Sequence, residues 1–405
     1  MTNEELKARN KLNHIHDDLA FSILSKLPLK SMKRFECIKK SWSILFENHN
    51  FMKMFRNNFL SNNNDSDSSN TFLLLNDVDP PAPPEQYRDC SFYLFSSESE
   101  RFDNRIKLDL PFSIDNFGYG IFILGFNSIN GIFCVSREGP LRLRIVLWNP
   151  TTAEFFVIPP SPEECVPPYR SPFMELIGFG YDHIRDDYKV IRYIKFLPTT
   201  DEEVDVPLKD RSFDPVLEIY SFSSNSWRIL DIDMPYTYID EFCNGTGVHI
   251  NGMCHWWCRR YSSLEEYLVS FDLINEALIA TPASLDMYEG CKLGQMARHL
   301  VVLNESISLI SNCPETSTFH ISTLGELGVE KSWITLFVVG PLPFIECPIG
   351  VGKKGNICFK TYDDEIVWVD LNTQIIDEIG VKGTRAECRT GIYKKNLFPI
   401  GGINN

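Results

Sequence analysis

The stretch IVLWNPTTAEFFVIP (145–159) consists of two apolar runs separated by a polar turn. Apolar runs of this length that are bounded by Asn, Pro and Thr are typical of β-strands joined in a hairpin. The same pattern returns in LEIYSFSSNSWRIL (217–230), YLVSFDLINEALIATP (267–282) and EIVWVDLNTQIIDEIG (365–380). The recurrence predicts an all-β body that is built from repeated units.

A second series of strand pairs lies between these hairpins, for example INGIFCV (129–135), GVHINGMCHWW (247–257) and RHLVVLNESISLIS (298–311). Joining each pair to the hairpin that follows gives about six units, most of them about 50 residues apart, which is the spacing of four-stranded propeller blades. We therefore predict a closed, propeller-like β domain of about six blades. A two-sheet β-sandwich is the alternative.

Ring closure and loop insertions are predicted at specific places. GIYKKNLFPI (391–400) is expected to pair with the first blade and seal the ring, because closure removes exposed sheet edges. SPEECVPPYRSP (161–172) and FLPTTDEEVDVPLKDRSFDP (196–215) carry the prolines and acidic clusters that interrupt strands. We predict that both are surface loops.

The N-terminal region has the periodicity of helices. Leu19, Ile23 and Leu27 are four residues apart, and Leu24 widens the same apolar stripe, as expected for an amphipathic helix. Pro28 is expected to end this helix. A helical module of about 45 residues is near the lower size limit for an independent core, so we expect part of its apolar surface to be covered by a partner. A helical cap packed on the β body is the alternative.

Composition and charge divide the chain in the same way. SNNNDSDSSN (61–70) reads as a flexible linker, which gives a helical domain at 1–60, with its helical core at 12–57, and a β domain at 71–405. Residues 1–60 carry a net charge of +5, whereas the whole chain carries −15. The acidic body argues against general nucleic-acid binding.

No apolar run is long enough for a membrane span, and the first residues lack the apolar core of a signal peptide. The expected location is therefore the cytoplasm, the nucleus or both.

Three short motifs bear on chemistry, and none of them predicts a site. GVGKKG (350–355) fits the glycine pattern of dinucleotide sites, but strand-like residues follow it where a helix is required. CHWWC (254–258) has no second ligand pair at zinc spacing, so buried core thiols are expected. His14, His16 and Asp17 are close in sequence but belong to the start of the predicted helix. We predict no metal, no cofactor and no catalytic residue.

The residues DDLAFSILSKLPLKSMKRFECIKKSW (17–42) resemble an F-box. Ile15 and His16 stand where the F-box family has a Leu-Pro pair. The β body resembles the F-box-associated domain of plant F-box and F-box/kelch-repeat proteins through LWNPTTAEF, GFGYDHIRDDYKVIR, EIYSFSSNSWR and NGMCHWW. The F-box pattern is matched at Asp17, Asp18, Leu19, Ile23, Leu24, Leu27, Pro28, Lys30, Ser31, Arg34, Phe35, Cys37, Lys40 and Trp42.

The resemblance implies a substrate-recognition subunit of an SCF-type cullin–RING E3 ubiquitin ligase. The F-box would dock on a Skp-family adaptor, and through it on a cullin, while the β domain would capture an unidentified target protein. The loops at 161–172 and 196–215 are expected to hold target specificity. The acidic run at 201–205 suggests a basic target, and a solvated loop is the favoured alternative. The adaptor-binding residues that the resemblance implies are Ile15, His16, Leu19, Ile23, Leu24, Leu27, Pro28, Leu29, Ser31 and Met32.

Two other functions stay open from the sequence. The departure at Ile15 and His16 leaves room for a protein-interaction module that works without the adaptor. A propeller enzyme is the third class, and it predicts a deep central pocket with converging polar groups. A narrow channel filled by apolar side chains would argue against such an enzyme.

Overall fold

In the described part of the chain, the computed structural model shows six antiparallel sheets arranged as the blades of a β-propeller, and the N-terminal helix α1 (Asp17–Leu24). No described helix has the length and apolar character needed to cross a bilayer. The structure describes residues 17–27, 31, 48, 50–51, 54–55, 58, 71–77, 91–96, 105–110, 119–125, 127–138, 143–164, 169–198, 207, 211–232, 238–239, 247–259, 265–283, 297–352, 355–383, 388–396 and 400.

The strands of the described ranges are numbered in chain order. The first eleven are β1 (Thr71–Asp77), β2 (Ser91–Ser96), β3 (Arg105–Leu108), β4 (Tyr119–Ile123), β5 (Phe133–Glu138), β6 (Leu143–Asn149), β7 (Glu154–Val157), β8 (Arg170–Asp182), β9 (Asp187–Pro198), β10 (Val216–Ser221) and β11 (Ser226–Leu230). The others are β12 (Tyr238–Ile239), β13 (Val248–Ile250), β14 (Met253–Arg259), β15 (Glu266–Asp272), β16 (Ala277–Pro282), β17 (Arg298–Leu303), β18 (Ser306–Cys313), β19 (Thr318–Leu324), β20 (Trp333–Val339), β21 (Ile345–Val351), β22 (Ile357–Thr361), β23 (Glu365–Val369), β24 (Ile376–Lys382) and β25 (Thr390–Lys394).

Each blade is a meander that runs from an inner strand to an outer strand. Blade 1 has the order β25-β1-β2-β3, blade 2 β4-β5-β6-β7 and blade 3 β8-β9-β10-β11. In blade 4 the short strands β12 and β13 both pair with β14, which is followed by β15 and β16. Blade 5 has the order β17-β18-β19-β20 and blade 6 β21-β22-β23-β24. The prediction of about six propeller blades is confirmed, and the alternative of a β-sandwich is not observed.

The ring closes where the two ends of the β domain meet. Strand β25 pairs antiparallel with β1, so that Leu73 lies opposite Ile392. Tyr393 is buried in this closure and stacks on Phe133 of blade 2, with ring centroids 5.2 Å apart. The structure thus has the predicted closing strand within 391–400.

Several hairpins follow directly from the chemistry of their turn residues. Asn130-Gly131 and Asn251-Gly252 both have positive φ at each residue, which is the requirement of a two-residue turn matched to the twist of antiparallel strands. Asn tolerates this left-handed conformation better than most residues, and Gly adopts it without steric cost.

The hydrophobic core is distributed between neighbouring blades. Six clusters of buried apolar residues each join two adjacent blades. Neighbouring residues of one strand face different clusters: Trp256 packs between blades 3 and 4, and Trp257 packs between blades 4 and 5. Strands that are covered on both faces have continuous apolar runs rather than alternating ones, which explains the sequence pattern.

The cysteines are mostly core residues. Cys134, Cys254, Cys258, Cys358 and Cys388 are buried thiols. Cys313, at the end of β18, is disulfide-bonded, so this residue departs from the free thiols that the sequence suggests.

Candidate functional site

The exposed side of helix α1 is the first candidate surface. Leu19 and Ile23 are one helical turn apart and are 57% and 50% exposed. Leu24, on the opposite side, is 4% exposed, and Phe21 is half-buried. Large aliphatic side chains that stay exposed next to each other are more typical of an interface than of a monomer surface. The helix therefore presents a short apolar stripe to solvent.

The inner side of α1 packs against aromatic residues and the propeller. Phe21 meets Phe51 edge to face, with ring centroids 5.6 Å apart, and Phe51 stacks on Phe55 at 6.2 Å. Leu24, Phe51 and Phe55 belong to the same continuous hydrophobic cluster as residues of blades 5 and 6. This is the contact that the alternative of a helical cap predicts. The linker predicted at 61–70 lies outside the described residues.

The ten predicted adaptor-binding residues fall into three groups. Leu24 supports α1 from inside, because its side chain is covered by the propeller cluster, whereas Leu19 and Ile23 are free to meet another protein. Met54, which the sequence places in an apolar cluster with Phe51 and Phe55 but not among the adaptor-binding residues, is 37% exposed beside buried Phe55. The exposed residues are Leu19 and Ile23. The buried or half-buried residues are Leu24, Leu27 and Ser31. The residues outside the described ranges are Ile15, His16, Pro28, Leu29 and Met32.

The two edges of the ring are defined by the order of the strands. In an antiparallel meander the first and third turns of every blade lie at one edge, which we call the tight-turn edge. All other connections lie at the opposite edge, which we call the long-connection edge because it joins the strands that are farthest apart in sequence. The tight-turn edge includes the segments 150–153, 183–186, 222–225, 251–252, 273–276 and 304–305. At the long-connection edge strands β1, β3, β7, β9 and β16 end, and strands β2, β4, β8, β10 and β17 begin.

The two loop insertions that the sequence predicts are partly wrong. Residues 170–172 belong to strand β8 and residues 196–198 to strand β9, because the two strands stay paired as far as Arg170 opposite Pro198. The described residues between β7 and β8 and between β9 and β10 lie at the long-connection edge. Long connections on a rigid scaffold are the usual place for recognition. The long-connection edge is therefore the second candidate surface.

A buried ion network anchors the connection between blades 2 and 3. Arg192, which is 1% exposed, donates from Nε to Glu218 at 2.8 Å and from Nη1 to Glu164 at 2.9 Å. Its guanidinium group lies over the Trp227 ring, 4.0 Å from the centroid. The indole N–H of Trp227 donates to the carbonyl oxygen of Pro159 at 2.7 Å. Because buried charges are stable only when paired, these contacts hold the start of the connection in one place.

The ends of β8 and β9 form a two-stranded extension at the long-connection edge. Strand β10 pairs with β9 only as far as Ile194, so the last residues of β9 pair with β8 alone. On one face of this extension Phe173 and Leu197 are 48% and 51% exposed. On the other face Arg170 lies over the Phe196 ring, 3.8 Å from its centroid. The extension combines a packed inner face with an exposed apolar outer face.

One segment of blade 2 crosses the central channel. A Cβ atom on Gly125 would lie only 2.9 Å from the carbonyl oxygen of Gly247 in blade 4. The N–H of Ser128 donates to the carbonyl oxygen of Ile392 in blade 1 at 3.2 Å. Blades 1 and 4 are opposite each other in a six-membered ring. The segment 124–131, which touches both blades, therefore spans the channel at the tight-turn edge.

Within the described residues, two cavities lie along the channel. The smaller has a volume of about 50 Å³, and His299 and Arg389 are in its lining. The larger has a volume of about 270 Å³, and Asn130 and His249 are in its lining. Three residues line both cavities, namely Gly125, Asn127 and Val248.

The histidines of the channel are uncharged at neutral pH. Burial, and secondarily the charge of Arg389, lowers the pKa of His299 to about 3. Burial lowers the pKa of His249 to about 4. No Asp, Glu, Cys or Lys is among the described residues that line the two cavities. His249, His299 and Arg389 line the channel, so it is not filled by apolar side chains.

The two sequence motifs with a chemical pattern are structural. GVGKKG lies between β21 and β22, which pair antiparallel from Val351 opposite Ile357, so no helix N-terminus is there to hold a phosphate. A Cβ atom on Gly352 would come within 1.5 Å of the Trp368 ring, and close packing accounts for this glycine. CHWWC lies in β14, where His255 Nδ1 hydrogen-bonds to Ser270 Oγ at 2.8 Å. Within the described ranges no three His, Cys, Asp or Glu side chains are grouped as metal ligands.

The comparison with protein families identifies the class of this chain. Residues 86–398 match the family described as the F-box associated beta propeller domain. Because the match covers more than half of the chain, the chain belongs to this family.

The similar proteins are F-box proteins of the plant Arabidopsis thaliana. F-box protein At1g30790 is 26% identical over 294 residues, which are 70% of this chain and 65% of that protein. F-box protein CPR1 is 24% identical over 272 residues, 64% of this chain and 63% of that protein. This chain thus spans a little less than two thirds of the length of these two relatives. "Probable F-box protein At5g47300" is 24% identical over 384 residues, 89% of this chain and 78% of that protein.

Similarity to solved structures is weak. TolB from Acinetobacter baumannii is 11% identical with a TM-score of 0.41, over 81% of this chain and 67% of that chain. At this level the similarity carries no argument about function.

Proposed function

We propose that this protein is a substrate-recognition subunit of an SCF-type cullin–RING ubiquitin ligase. Helix α1 and its neighbouring residues dock on a Skp-family adaptor, which connects them to a cullin. The long-connection edge of the propeller captures a target protein. The chain supplies no catalytic group of its own, because its contribution is to hold the target close to the ubiquitin-charged enzyme.

The observation that carries the proposal is the division of α1 into two sides. Leu24 is covered by the cluster of blades 5 and 6, while Leu19 and Ile23 stay about half exposed. A helix that is fixed from one side and apolar on the other has a binding surface with little ordering entropy left to lose. Membership in the F-box associated family and the F-box names of the relatives support the same proposal.

The charge distribution supports docking by residues 1–60. They carry +5, in contrast to −15 for the whole chain, so an acidic adaptor surface would be attracted to this end of the protein. Complementary charge speeds encounter and disfavours wrong partners. A location in the cytoplasm, the nucleus or both is part of the same proposal.

Binding to a purified Skp-family adaptor tests this proposal. We expect the full chain to be retained by the adaptor, and the double substitution Leu19→Lys with Ile23→Lys to abolish retention without lowering the melting temperature. Ile106→Lys is the matched control, because Ile106 on β3 is an equally exposed aliphatic residue, 52% exposed, far from α1 in sequence. This control should bind as the unmodified chain does.

The alternative of an adaptor-independent interaction module gives a different result. If the full chain is not retained, and His16→Pro does not restore retention, the ligase proposal is wrong and the propeller alone carries the function. A gain of binding with His16→Pro would instead show that residues 15 and 16 weaken an adaptor site that is otherwise intact.

Target identification should use the same double substitution rather than a truncation. Removing residues 1–60 would uncover the apolar residues of blades 5 and 6 that pack with Leu24, Phe51 and Phe55. Proximity labelling with the Leu19→Lys, Ile23→Lys chain keeps this cluster covered. Proteins that accumulate beside this variant and not beside the unmodified chain are the expected targets.

A further inference from the structure

We propose that a surface at the long-connection edge of blade 6 binds a basic segment of the target protein. It combines two exposed aromatic side chains with a group of carboxylates, and we call it the aromatic–acidic surface. Blade 6 is opposite blade 3 in the ring, so this surface is separate from the extension of β8 and β9. The proposal rests on the proposed capture of a target by the long-connection edge and adds the chemistry of one contact. The residues of the surface are Phe344, Glu346, Tyr362, Asp363, Asp364 and Glu365.

The two aromatic residues lie side by side at the end of the sheet. Ile345 of β21 pairs with Thr361 of β22, and the N–H of Tyr362 donates to the carbonyl oxygen of Phe344 at 3.1 Å. This hydrogen bond continues the pairing of the two strands by one residue. Phe344 is 44% exposed and Tyr362 is 68% exposed. Large aromatic side chains that stay exposed next to each other are typical of an interface.

The backbone that carries the two rings is fixed. Leu342 packs against the hydrophobic cluster of blades 5 and 6, and its N–H donates to the carbonyl oxygen of Ser317 at 2.8 Å. In the turn after β22, the N–H of Asp364 donates to the carbonyl oxygen of Thr361 at 3.0 Å. A partner would therefore meet aromatic residues whose backbone has little ordering entropy left to lose on binding.

The nearest cation of this chain is shared between two carboxylates. Lys360 Nζ lies 2.6 Å from Glu346 Oε2 and 3.0 Å from Asp364 Oδ1. The Lys360 side chain is 5% exposed, whereas those of Glu346 and Asp364 are 35% and 44% exposed. The positive charge thus lies beneath the surface, and carboxylate groups are presented to solvent.

Two further carboxylates follow Tyr362 in sequence. Glu365 pairs with Lys382 at 2.8 Å. Asp363 is exposed, directly follows Tyr362 and forms no ion pair among the described residues. The four carboxylates of the surface outnumber the two lysines that pair with them, which gives a net charge of −2. An anionic partner would be repelled here.

A Lys or Arg side chain fits this combination of groups. The face of an aromatic ring attracts a cation through its quadrupole, and the carboxylate of Asp363 lies next to the Tyr362 ring in sequence. Residues 1–60 carry +5 and the whole chain −15, so the remainder of the chain is strongly acidic and also attracts a basic partner. Complementary charge of this kind speeds encounter and disfavours wrong partners.

A peptide selection on the full chain tests the proposal. The probe is a displayed library of short random peptides, selected separately on the unmodified chain and on the double variant Phe344→Ser, Tyr362→Ser. We expect the peptides that are recovered only on the unmodified chain to be enriched in Lys and Arg relative to the starting library. If no peptide depends on the two aromatic residues, or if the dependent peptides are not enriched in Lys and Arg, the proposal is wrong.

Calorimetry with synthetic peptides measures the contribution of the positive charge. A peptide from the selection is compared with a copy in which every Lys and Arg is replaced by Gln. The copy should bind about fivefold or more weakly, because it loses the attraction to the rings and to the carboxylates. Binding of the basic peptide should also weaken as salt is added. Equal affinity of the two peptides contradicts the proposal.

Substitutions with matched controls locate the peptide on the surface. Asp363→Lys should weaken binding of the basic peptide about fivefold or more. Asp377→Lys is the control for charge, because Asp377 is exposed at the tight-turn end of the same blade. Phe155→Ser is the control for the aromatic variants, because Phe155 on β7 is 48% exposed. Both controls should bind as the unmodified chain does. Equal weakening by Asp363→Lys and Asp377→Lys would mean that only net charge acts, which contradicts a local site.

The outcome can be told apart from that of the ligase proposal. Retention by the adaptor depends on Leu19 and Ile23, whereas peptide binding is measured without the adaptor. Retention by the adaptor together with basic peptides that ignore Tyr362 would overturn the proposal made here and no other. Peptide binding that depends on Tyr362, in a chain that the adaptor does not retain, would support the basic-segment site and overturn the ligase proposal.

Discussion

The tight-turn edge and the long-connection edge of the propeller are formed by the ends of the same strands, yet different interactions hold them. At the tight-turn edge, short turns such as 183–186 and 251–252 place Asp186 and Asn251 at positive φ, so local chemistry sets the conformation. At the long-connection edge, side chains of blade 3 hold the described part of the connection that follows β7: Arg192 pairs with Glu164, and Trp227 donates to the carbonyl oxygen of Pro159. We therefore expect sequence changes at the long-connection edge to disturb the ring less than changes at the tight-turn edge.

Of the changes considered, removal of the closing strand should lower the stability of the propeller most. Deletion of residues 388–405 removes β25, the inner strand of blade 1, together with the contact of Ile392 with segment 124–131 at the tight-turn edge. We expect the deleted chain to lose cooperative unfolding, because β1 becomes an open edge. Circular dichroism during thermal unfolding measures this effect.

A milder change in the same strand provides the control for the deletion. Tyr393→Phe keeps the buried ring and loses only the hydrogen bond with Thr151, so it should cost about 1 kcal/mol. A deleted chain that unfolds cooperatively near the normal melting temperature would show that the ring does not depend on closure by β25.

Breaking the buried ion pair of the tight-turn edge should cause the next largest loss of stability. Asp182 is fully buried and accepts from Lys189 Nζ at 2.8 Å, and the same Nζ donates to the carbonyl oxygen of Leu273 in blade 4 at 2.7 Å. Asp182→Asn leaves the buried Lys189 charge with only the more distant Glu276, at 3.6 Å, so we expect a loss of about 3 kcal/mol in the free energy of unfolding. Urea denaturation measures this loss.

The control for the ion pair is an exposed one near the same edge. Arg228 pairs with Glu276 at 2.6 Å, but the Arg228 side chain is 55% exposed. Arg228→Met should cost no more than about 1 kcal/mol. If Asp182→Asn and Arg228→Met lower the free energy of unfolding equally, the buried pair stabilises the tight-turn edge no more than an exposed pair does.

The stability of the protein should depend on pH through two buried histidines, one at each end of the channel. His249 lies near the tight-turn end and His299 near the long-connection end, with pKa values lowered to about 4 and about 3, in both cases mainly by burial. An unfolded histidine titrates near pH 6.5, so below that pH the unfolded state binds more protons and stability falls. The loss grows as the pH drops through about 4 for His249, and continues to about 3 for His299.

Single substitutions assign this loss to each end. His249→Gln and His299→Gln should each flatten the dependence of the unfolding free energy on pH between 6.5 and 4, as followed by denaturation at several pH values. Profiles that are as steep in both variants as in the unmodified chain would rule out buried neutral histidines at either end.

The features that sequence could predict are those set by local patterns. The blade count followed from repeated strand–turn–strand units, and turns such as Asn251-Gly252 are specified by two adjacent residues. The channel lining was not predictable, because Asn127, His299 and Arg389 come from three different blades and meet only after the ring has closed.

The candidate surface on α1 shows the same limit at short range. Periodicity places Leu19, Ile23 and Leu24 on a helix, but only the position of blades 5 and 6 decides that Leu24 is covered while the other two are exposed. A hydrophobic stripe indicates that something covers the helix, and it contains no information on which part is covered by the same chain and which by a partner.

The smallest effect on stability, with the sharpest effect on function, is expected at the extension of β8 and β9. Phe173→Ser combined with Leu197→Ser replaces two exposed side chains, so the free energy of unfolding should change by about 0.5 kcal/mol or less for each. If the long-connection edge captures the target, proximity labelling in the Leu19→Lys, Ile23→Lys background should lose the target. The matched control is Ile184→Ser, because Ile184 is 68% exposed at the tight-turn edge. Loss of the target with Ile184→Ser, and its retention with the double serine variant, would place recognition at the opposite edge and reverse the roles assigned to the two edges.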